Sequence, residues 1–263
     1  MTAQRDDIAG VVLAAGAGTR LRPLTLERPK AMCPVGNVPL VDWALQRITP
    51  WSGSVAVNVH ESQPTLLEHV RERAHTSIEA GERLGTAGAL GRLRAWIDGR
   101  HVLVHNADSF VDDDLDALLD GWDGRHPRLL VRSQDAPSDF GQHRFLGVSL
   151  LPASAAATLP DVPSGLYPLV WRPAWDAGTL ELIEARGESI DCGTPADYLR
   201  ANLHVSHGQS VVAADAVVNG SITRCVVWPG ARVDAGETLV DVIRTPLCTV
   251  SGAITTDGRD DHP

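Results

Sequence analysis

Apolar positions recur along this chain at two spacings, and together they outline its architecture. Short apolar runs at 8–15, 54–59, 101–105 and 128–133, with a less regular one at 144–151, read as strands. Between and beyond them, 39–49, 63–74, 86–97, 112–121 and 195–206 carry apolar residues at helical spacing. Strands alternating with helices predict an α/β domain on a largely parallel sheet. In the fourth helix the triplet Asp112-Asp113-Asp114 stands at the start, where carboxylates favour the positive end of the dipole, and is expected to cap it. From about Ser210 the texture changes. Val212 and Val218 lie six apart, as do Val227, Val233 and Leu239, with Ala213, Asn219-Gly220, Pro229-Gly230 and Gly236 between them. That period predicts a short left-handed parallel β-helix, although the register slips between the two sets and an antiparallel tail is the competing reading. So few coils bury no core alone, so the piece must lean on the main domain or join copies into a homo-oligomer. The expected division is 1–207, 208–252 and a polar tail at 253–263.

Composition narrows the class. With 43% hydrophobic and 21% charged residues, the 263-residue chain reads as a soluble globular protein with an adequate core. Its net charge of −10 argues against a nucleic-acid surface. No run approaches the roughly 20 apolar residues that a membrane helix needs. Asp6 and Asp7 precede the first apolar run, where a secretory signal would carry basic residues. Cys33, Cys192, Cys225 and Cys248 show no paired short spacing, which suggests neither a zinc site nor a disulfide framework; reduced thiols in a cytoplasm are expected.

The first apolar run ends in Gly16-Ala17-Gly18, a strand breaking into a tight loop. Glycines there let the backbone approach a ligand and turn successive N–H groups toward phosphate oxygens. Arg20, Arg22, Arg28 and Lys30 follow, and Lys30 is the only lysine in the chain. A single retained lysine among arginines points to a need for a compact charge. No Gly-Lys-Ser/Thr triplet supports a Walker A loop, and Leu21 stands where a dinucleotide fingerprint needs its third glycine. Three further units carry chemistry. His101 to Phe110 places Asn106-Ala107-Asp108 at a strand's carboxyl end, the edge at which open α/β sheets bind ligands. Ile190-Asp191-Cys192-Gly193-Thr194-Pro195 precedes a helix, with Thr194 placed to cap it. Glu82-Arg83-Leu84-Gly85-Thr86-Ala87-Gly88 opens a helix with small residues that allow close approach to a base or ribose.

Residues 13–30, Leu-Ala-Ala-Gly-Ala-Gly-Thr-Arg-Leu-Arg-Pro-Leu-Thr-Leu-Glu-Arg-Pro-Lys, closely resemble the signature of the nucleotidyltransferases that make nucleoside-diphosphate sugars, with Ala15 replacing its first glycine and Ala31 its last proline. The chain is similar to the short, mannose-1-phosphate guanylyltransferase-like members. The resemblance runs in order over about 8–205 and implies a Rossmann-like domain with a mixed, mostly parallel sheet. The implied reaction is attack of a sugar 1-phosphate on the α-phosphorus of a nucleoside triphosphate, releasing pyrophosphate. By the same resemblance Leu13, Ala14, Ala15, Gly16, Ala17, Gly18 and Thr19 hold the nucleotide, Arg20 draws its β- and γ-phosphates, and Lys30 stabilises charge at the α-phosphate. Asp108 and Asp191 are the implied ligands of Mg²⁺, two carboxylates that with substrate phosphate oxygens complete an octahedral site. By that resemblance Gly85 and Thr86 belong to the base pocket, where Glu82 or Glu79 either accepts the edge donors of guanine or stands as a solvated surface charge.

Phe140-Gly141 is similar to the step whose backbone meets the sugar, but the family's following Glu-Lys-Pro hairpin is missing. Arg144 and His143 are the candidates for its charge, and arginine binds with a different geometry from lysine. The gap keeps two alternatives open: a non-catalytic nucleotide-sugar-binding regulatory subunit, and a transferase acting on a non-sugar phosphate.

Overall fold

The run Ile8-Ala-Gly-Val-Val-Leu13 has no polar side chain because its strand is covered on both faces. The computed structural model describes residues 4–252. It places this strand, β1 (Ile8–Leu13), inside a seven-stranded sheet with β2 (Ser54–His60), β3 (His75–Glu79), β4 (His101–Asn106), β6 (Arg128–Ser138), β7 (Gly141–Leu151) and β8 (Glu181–Glu184). The order is β8-β6-β7-β4-β1-β2-β3; β1 pairs in parallel with β2 and β4, whereas β7 runs antiparallel to β4 and β6. The sheet is thus mixed and mostly parallel. Alternate residues serve opposite layers. Ile8 and Val12 pack toward α1 (Leu40–Ile48) and α2 (Pro64–Val70), while Ala9 and Val11 pack toward α3 (Gly85–Arg92). Outside the sheet, β5 (Ser109–Asp112) pairs antiparallel with β9 (Glu188–Asp191), and α4 (Pro195–Val205) follows β9.

The expected helix at 112–121 is corrected. Only Asp116–Leu119 is helical, and Asp112 belongs to a strand. The carboxylates do other work: buried Asp113 accepts from the backbone N–H groups of Arg186 and Gly187 at 2.6 and 2.8 Å, and Asp112 pairs with Arg47 at 2.9 Å. Asp113 therefore pins the chain just before β9 rather than capping a helix. The helix expected over 63–74 stops at Val70, and the 86–97 segment divides into Gly85–Arg92 and Arg94–Ile97.

Beyond α4 the chain forms short strands stacked in parallel pairs. Val211 faces Val226, Val217 faces Arg232, Ser221 faces Thr238 and Val226 faces Ile243. Each face therefore recurs after fifteen to seventeen residues, short of three six-residue steps, and this deficit is the slip visible in the valine spacing. An antiparallel pair, Val242–Arg244 with Thr249–Ser251, closes the stack. The strands lean on the main domain: Val226, Trp228 and Ile243 share one core cluster with Leu21, Leu24, Phe110, Cys192 and Tyr198. The polar tail expected at 253–263 lies outside the described residues. Among those residues no helix is long and apolar enough to cross a membrane.

One histidine inside the sheet makes stability depend on pH. Burial pushes the pKa of His105 down from 6.5 to about 4, against a hydrogen bond from its ring to the Asn106 carbonyl and the nearby Asp108 carboxylate. Between those two values the unfolded chain binds a proton that the folded chain refuses, so stability falls as pH drops through that window. Replacing His105 with Leu is expected to flatten this part of the acid dependence. Urea midpoints of the variant and the parent, compared at pH 7 and pH 5, check it; an unchanged pH dependence refutes the assignment.

Candidate active site

Two distant aspartates meet because β5 and β9 pair. Asp191 sits opposite Ser109, and the Cys192 N–H donates to the Asp108 carbonyl at 2.9 Å. Lys30 enters from a short turn (Lys30–Met32) behind the glycine loop. Its ammonium lies 2.8 Å from Asp108 and 3.6 Å from Asp191, with the lysine side chain only 9% exposed and the carboxylates 39% and 51% exposed. Arg20, on the solvent side, stands 3.5 Å from Asp191. Four expected residues, Arg20, Lys30, Asp108 and Asp191, are thereby gathered around one point. A glycine is needed beside the lysine stem. Gly18 has φ +63°, and a Cβ there would stand 2.9 Å from the Cβ of Lys30. A Cβ on Gly193 would press on the Arg20 guanidinium and the Asp191 carboxylate.

Next to this cluster is a cavity of about 210 Å³ lined by Leu13, Ala15, Gly16, Asn58, Glu79, Arg83, Gly85, Thr86, Asn106 and Asp108. Its floor is a hydrogen-bond chain. Glu79, 1% exposed, accepts from Asn58 Nδ2 at 2.7 Å and from the Leu84 N–H at 3.0 Å, and Asn58 Oδ1 accepts from the Ala14 N–H at 2.7 Å. The chain ties the glycine loop to the Gly85-Thr86 turn across two strands. Gln63 and Thr25 hold the carbonyls of Gly16 and Gly18. Thr86 Oγ1 accepts from the Leu166 N–H at 2.8 Å.

Some expected residues stand elsewhere. Glu82 is exposed and absent from the cavity lining; Glu79 takes the position at its floor. Gly141 lies at the β6–β7 turn beside Trp175, and Arg144 faces Arg132 across that hairpin; neither lines the cavity. The hairpin runs past the last pairing of β7 with β4, His105 with Val148. Arg28 lies over the Trp228 ring, 4.2 Å from its centroid, and helps dock the C-terminal strands. Asn58 and Arg83 join the site without being singled out by the sequence. A lone asparagine within the apolar run Val55-Ala-Val-Asn-Val59 is the available signal for the first.

The thiols near the site are not nucleophiles. Burial pushes Cys33 up to about 12 and pushes Cys192 higher still, so both remain protonated. Among the described residues no group of three or more His, Cys, Asp or Glu side chains could hold a metal. Asp108 and Asp191 supply two hard oxygen donors, which fits a divalent cation only if a bound phosphate and water complete its shell.

A mixed sheet with a glycine loop at its carboxyl edge, joined to two carboxylates and an ammonium beside a closed-floored cavity, defines a nucleotide-handling α/β protein. A family model described as nucleotidyl transferase matches residues 9–144, just over half of the chain, and the chain belongs to that family. The bifunctional protein GlmU of Methanococcus aeolicus is 28% identical over 254 residues, covering 85% of this chain and 59% of its own length. The chain thus spans less than two thirds of that relative. N-acetylmuramate alpha-1-phosphate uridylyltransferase of Caulobacter vibrioides is 28% identical over 243 residues, covering 78% of this chain and 95% of its own. A solved structure from Thermus thermophilus, described as a mannose-1-phosphate geranyltransferase, superposes with a TM-score of 0.68 at 16% identity over 91% of this chain and 92% of that one, a likeness of fold.

Proposed function

We propose that this chain transfers a nucleotidyl group from a nucleoside triphosphate to a sugar 1-phosphate. The observation that carries this reading is the contact of Lys30 Nζ with both Asp108, which lines the cavity, and Asp191. In the reaction an acceptor phosphate oxygen forms a bond to the α-phosphorus while the bond from that phosphorus to the β-phosphate's bridging oxygen breaks, releasing pyrophosphate. Such transfers need alignment and neutralisation of spreading negative charge more than covalent help. The backbone from Ala14 to Thr19 lies where it can hold phosphate oxygens, and the Asn58–Glu79 chain fastens its first residue. Lys30, shielded from water, opposes charge at the α-phosphate, and exposed Arg20 meets the outgoing phosphates. Asp108 and Asp191 would hold Mg²⁺, which supplies electrostatic neutralisation between nucleotide and acceptor oxygens.

The finer reading is a purine nucleotide with mannose 1-phosphate as acceptor, as in a mannose-1-phosphate guanylyltransferase. It is supported by the small residues that open α3, Gly85-Thr86-Ala87-Gly88, and by a carboxylate, Glu79, at the cavity floor. We read 208–252 as a short left-handed β-helix appended to a 1–207 catalytic domain, and as the surface through which copies would join. One observation favours a second reading, a regulatory subunit that binds nucleotide sugars: Gly141 and Arg144 stand outside the cavity lining.

Pyrophosphate release is the test, with each common nucleoside triphosphate paired with mannose, glucose and N-acetylglucosamine 1-phosphates. The expected result is release that needs both substrates and stops when EDTA removes magnesium. Nucleotides that raise the melting temperature without any release with any acceptor would convert the assignment to the regulatory subunit.

A further inference from the structure

We propose that Arg83 grips the polyphosphate of the nucleotide, a role that rests on the transferase reading and adds a cation to it. Arg83 lies in the turn between β3 and α3. Its Nε donates to the Ala15 carbonyl at 2.7 Å, so the guanidinium plane is fastened to the glycine loop. Among the described residues its Nη1 and Nη2 atoms form no hydrogen bond, and no carboxylate stands within ion-pair distance of them. A half-buried guanidinium in a chain of net charge −10 thus keeps its forked donors unpaired.

Its position explains what they await. Arg83 lines the 210 Å³ cavity with Gly16, Thr86 and Asp108. It also lines a depression of about 290 Å³ beyond the loop, with Ala17, Thr25, Ser62 and Thr65. The side chain therefore stands where these two spaces meet. A nucleotide with its base side at Gly85-Thr86 and its phosphates along the glycine loop would carry its phosphate chain past the residue fastened to Ala15. A planar fork held at one nitrogen presents its remaining N–H groups in fixed directions, the arrangement suited to bidentate contact with phosphate oxygens. The ligand chemistry is a di- or triphosphate chain, including free pyrophosphate.

A structural role, fastening Ala15 alone, makes a different prediction, and calorimetric binding separates the two. The probes are inorganic pyrophosphate with magnesium, and the triphosphate and monophosphate of whichever nucleoside the wild-type protein binds best. For Arg83→Gln, binding of pyrophosphate and triphosphate is expected to weaken about tenfold or more, with monophosphate binding within about twofold of the parent. Arg83→Lys, which keeps the charge and loses the fork, is expected to recover part of the triphosphate affinity. Equal weakening of mono- and triphosphate, or no weakening of either, overturns the proposal while leaving the transferase reading in place. A wild-type protein that binds none of the probes overturns both.

Discussion

Lys30→Met is expected to lower the rate of pyrophosphate release at least about a hundredfold while the protein stays folded. The expectation follows from where the charge sits. The lysine side chain is 9% exposed and its ammonium, shielded from water, faces two part-exposed carboxylates at 2.8 and 3.6 Å. Removing one preorganised electrostatic group from such a place costs about 3–4 kcal/mol of barrier, a factor of a hundred to a thousand. Methionine keeps most of the stem volume, so the space it shares with Ala14, Ala31 and Ala107 is not emptied. The two aspartates left behind are 39% and 51% exposed and can rehydrate, which limits the loss of stability. The converse deletion behaves differently. Asp108→Ala leaves a buried ammonium with Asp191 alone, so it is expected to lower the melting temperature more than Lys30→Met does. Lys30→Arg is not a rescue: Gly18 already needs its missing Cβ to clear the lysine stem, and a planar fork does not fit a point-charge position. Steady-state pyrophosphate release and a thermal melt on each variant check both halves. Turnover of Lys30→Met within about threefold of the parent would remove Lys30 from the mechanism.

How much the sequence discloses depends on how local each signal is. The glycine loop, the strand ending at Asn106-Ala107-Asp108 and the Asp191 turn are contiguous strings, and their chemistry is legible in the residues alone. Their convergence is not, since it depends on Ser109–Asp112 pairing antiparallel with Glu188–Asp191, and neither short strand has a periodic apolar pattern of its own. The Asp112–Asp114 triplet misleads because local rules favour a helix cap, whereas a tertiary demand, the N–H groups of Arg186 and Gly187, claims Asp113. Glu82 and Glu79 are indistinguishable as letters; burial at 1% and two hydrogen bonds separate Glu79 from its exposed neighbour. Arg28 lies close to Lys30 in the chain and so reads as one of the phosphate cations. Its partner, Trp228, is two hundred residues away and visible only in the fold.

That partner makes the largest stability prediction. Trp228→Ala is expected to lower the melting temperature by about 10 °C. The indole is fully buried, donates from Nε1 to the Tyr198 hydroxyl at 2.9 Å and packs edge-on against that ring, while Arg28 covers its other side. Truncating a buried tryptophan costs about 3–5 kcal/mol, and in a protein of this size each kcal/mol is worth about 2–4 °C. The damage should not stay in the C-terminal strands. The Tyr198 hydroxyl also bonds the Pro34 carbonyl, just past the Lys30 turn, and Tyr198 lies on the first turns of the helix that Thr194 caps directly after Asp191. The same core cluster holds Ile190 and Cys192, the residues on either side of Asp191. Loosening this cluster moves the support of one carboxylate of the pair, so pyrophosphate release is expected to fall together with stability even at temperatures where the variant is folded. Trp228→Phe keeps most of the packing and loses the indole N–H; it is expected to cost about 1 kcal/mol and to retain most of the activity. Calorimetric melting with activity measured well below each transition tests the link. A Trp228→Ala protein that melts about 10 °C lower yet turns over at the parental rate would show that the C-terminal strands stabilise the fold without positioning Asp191.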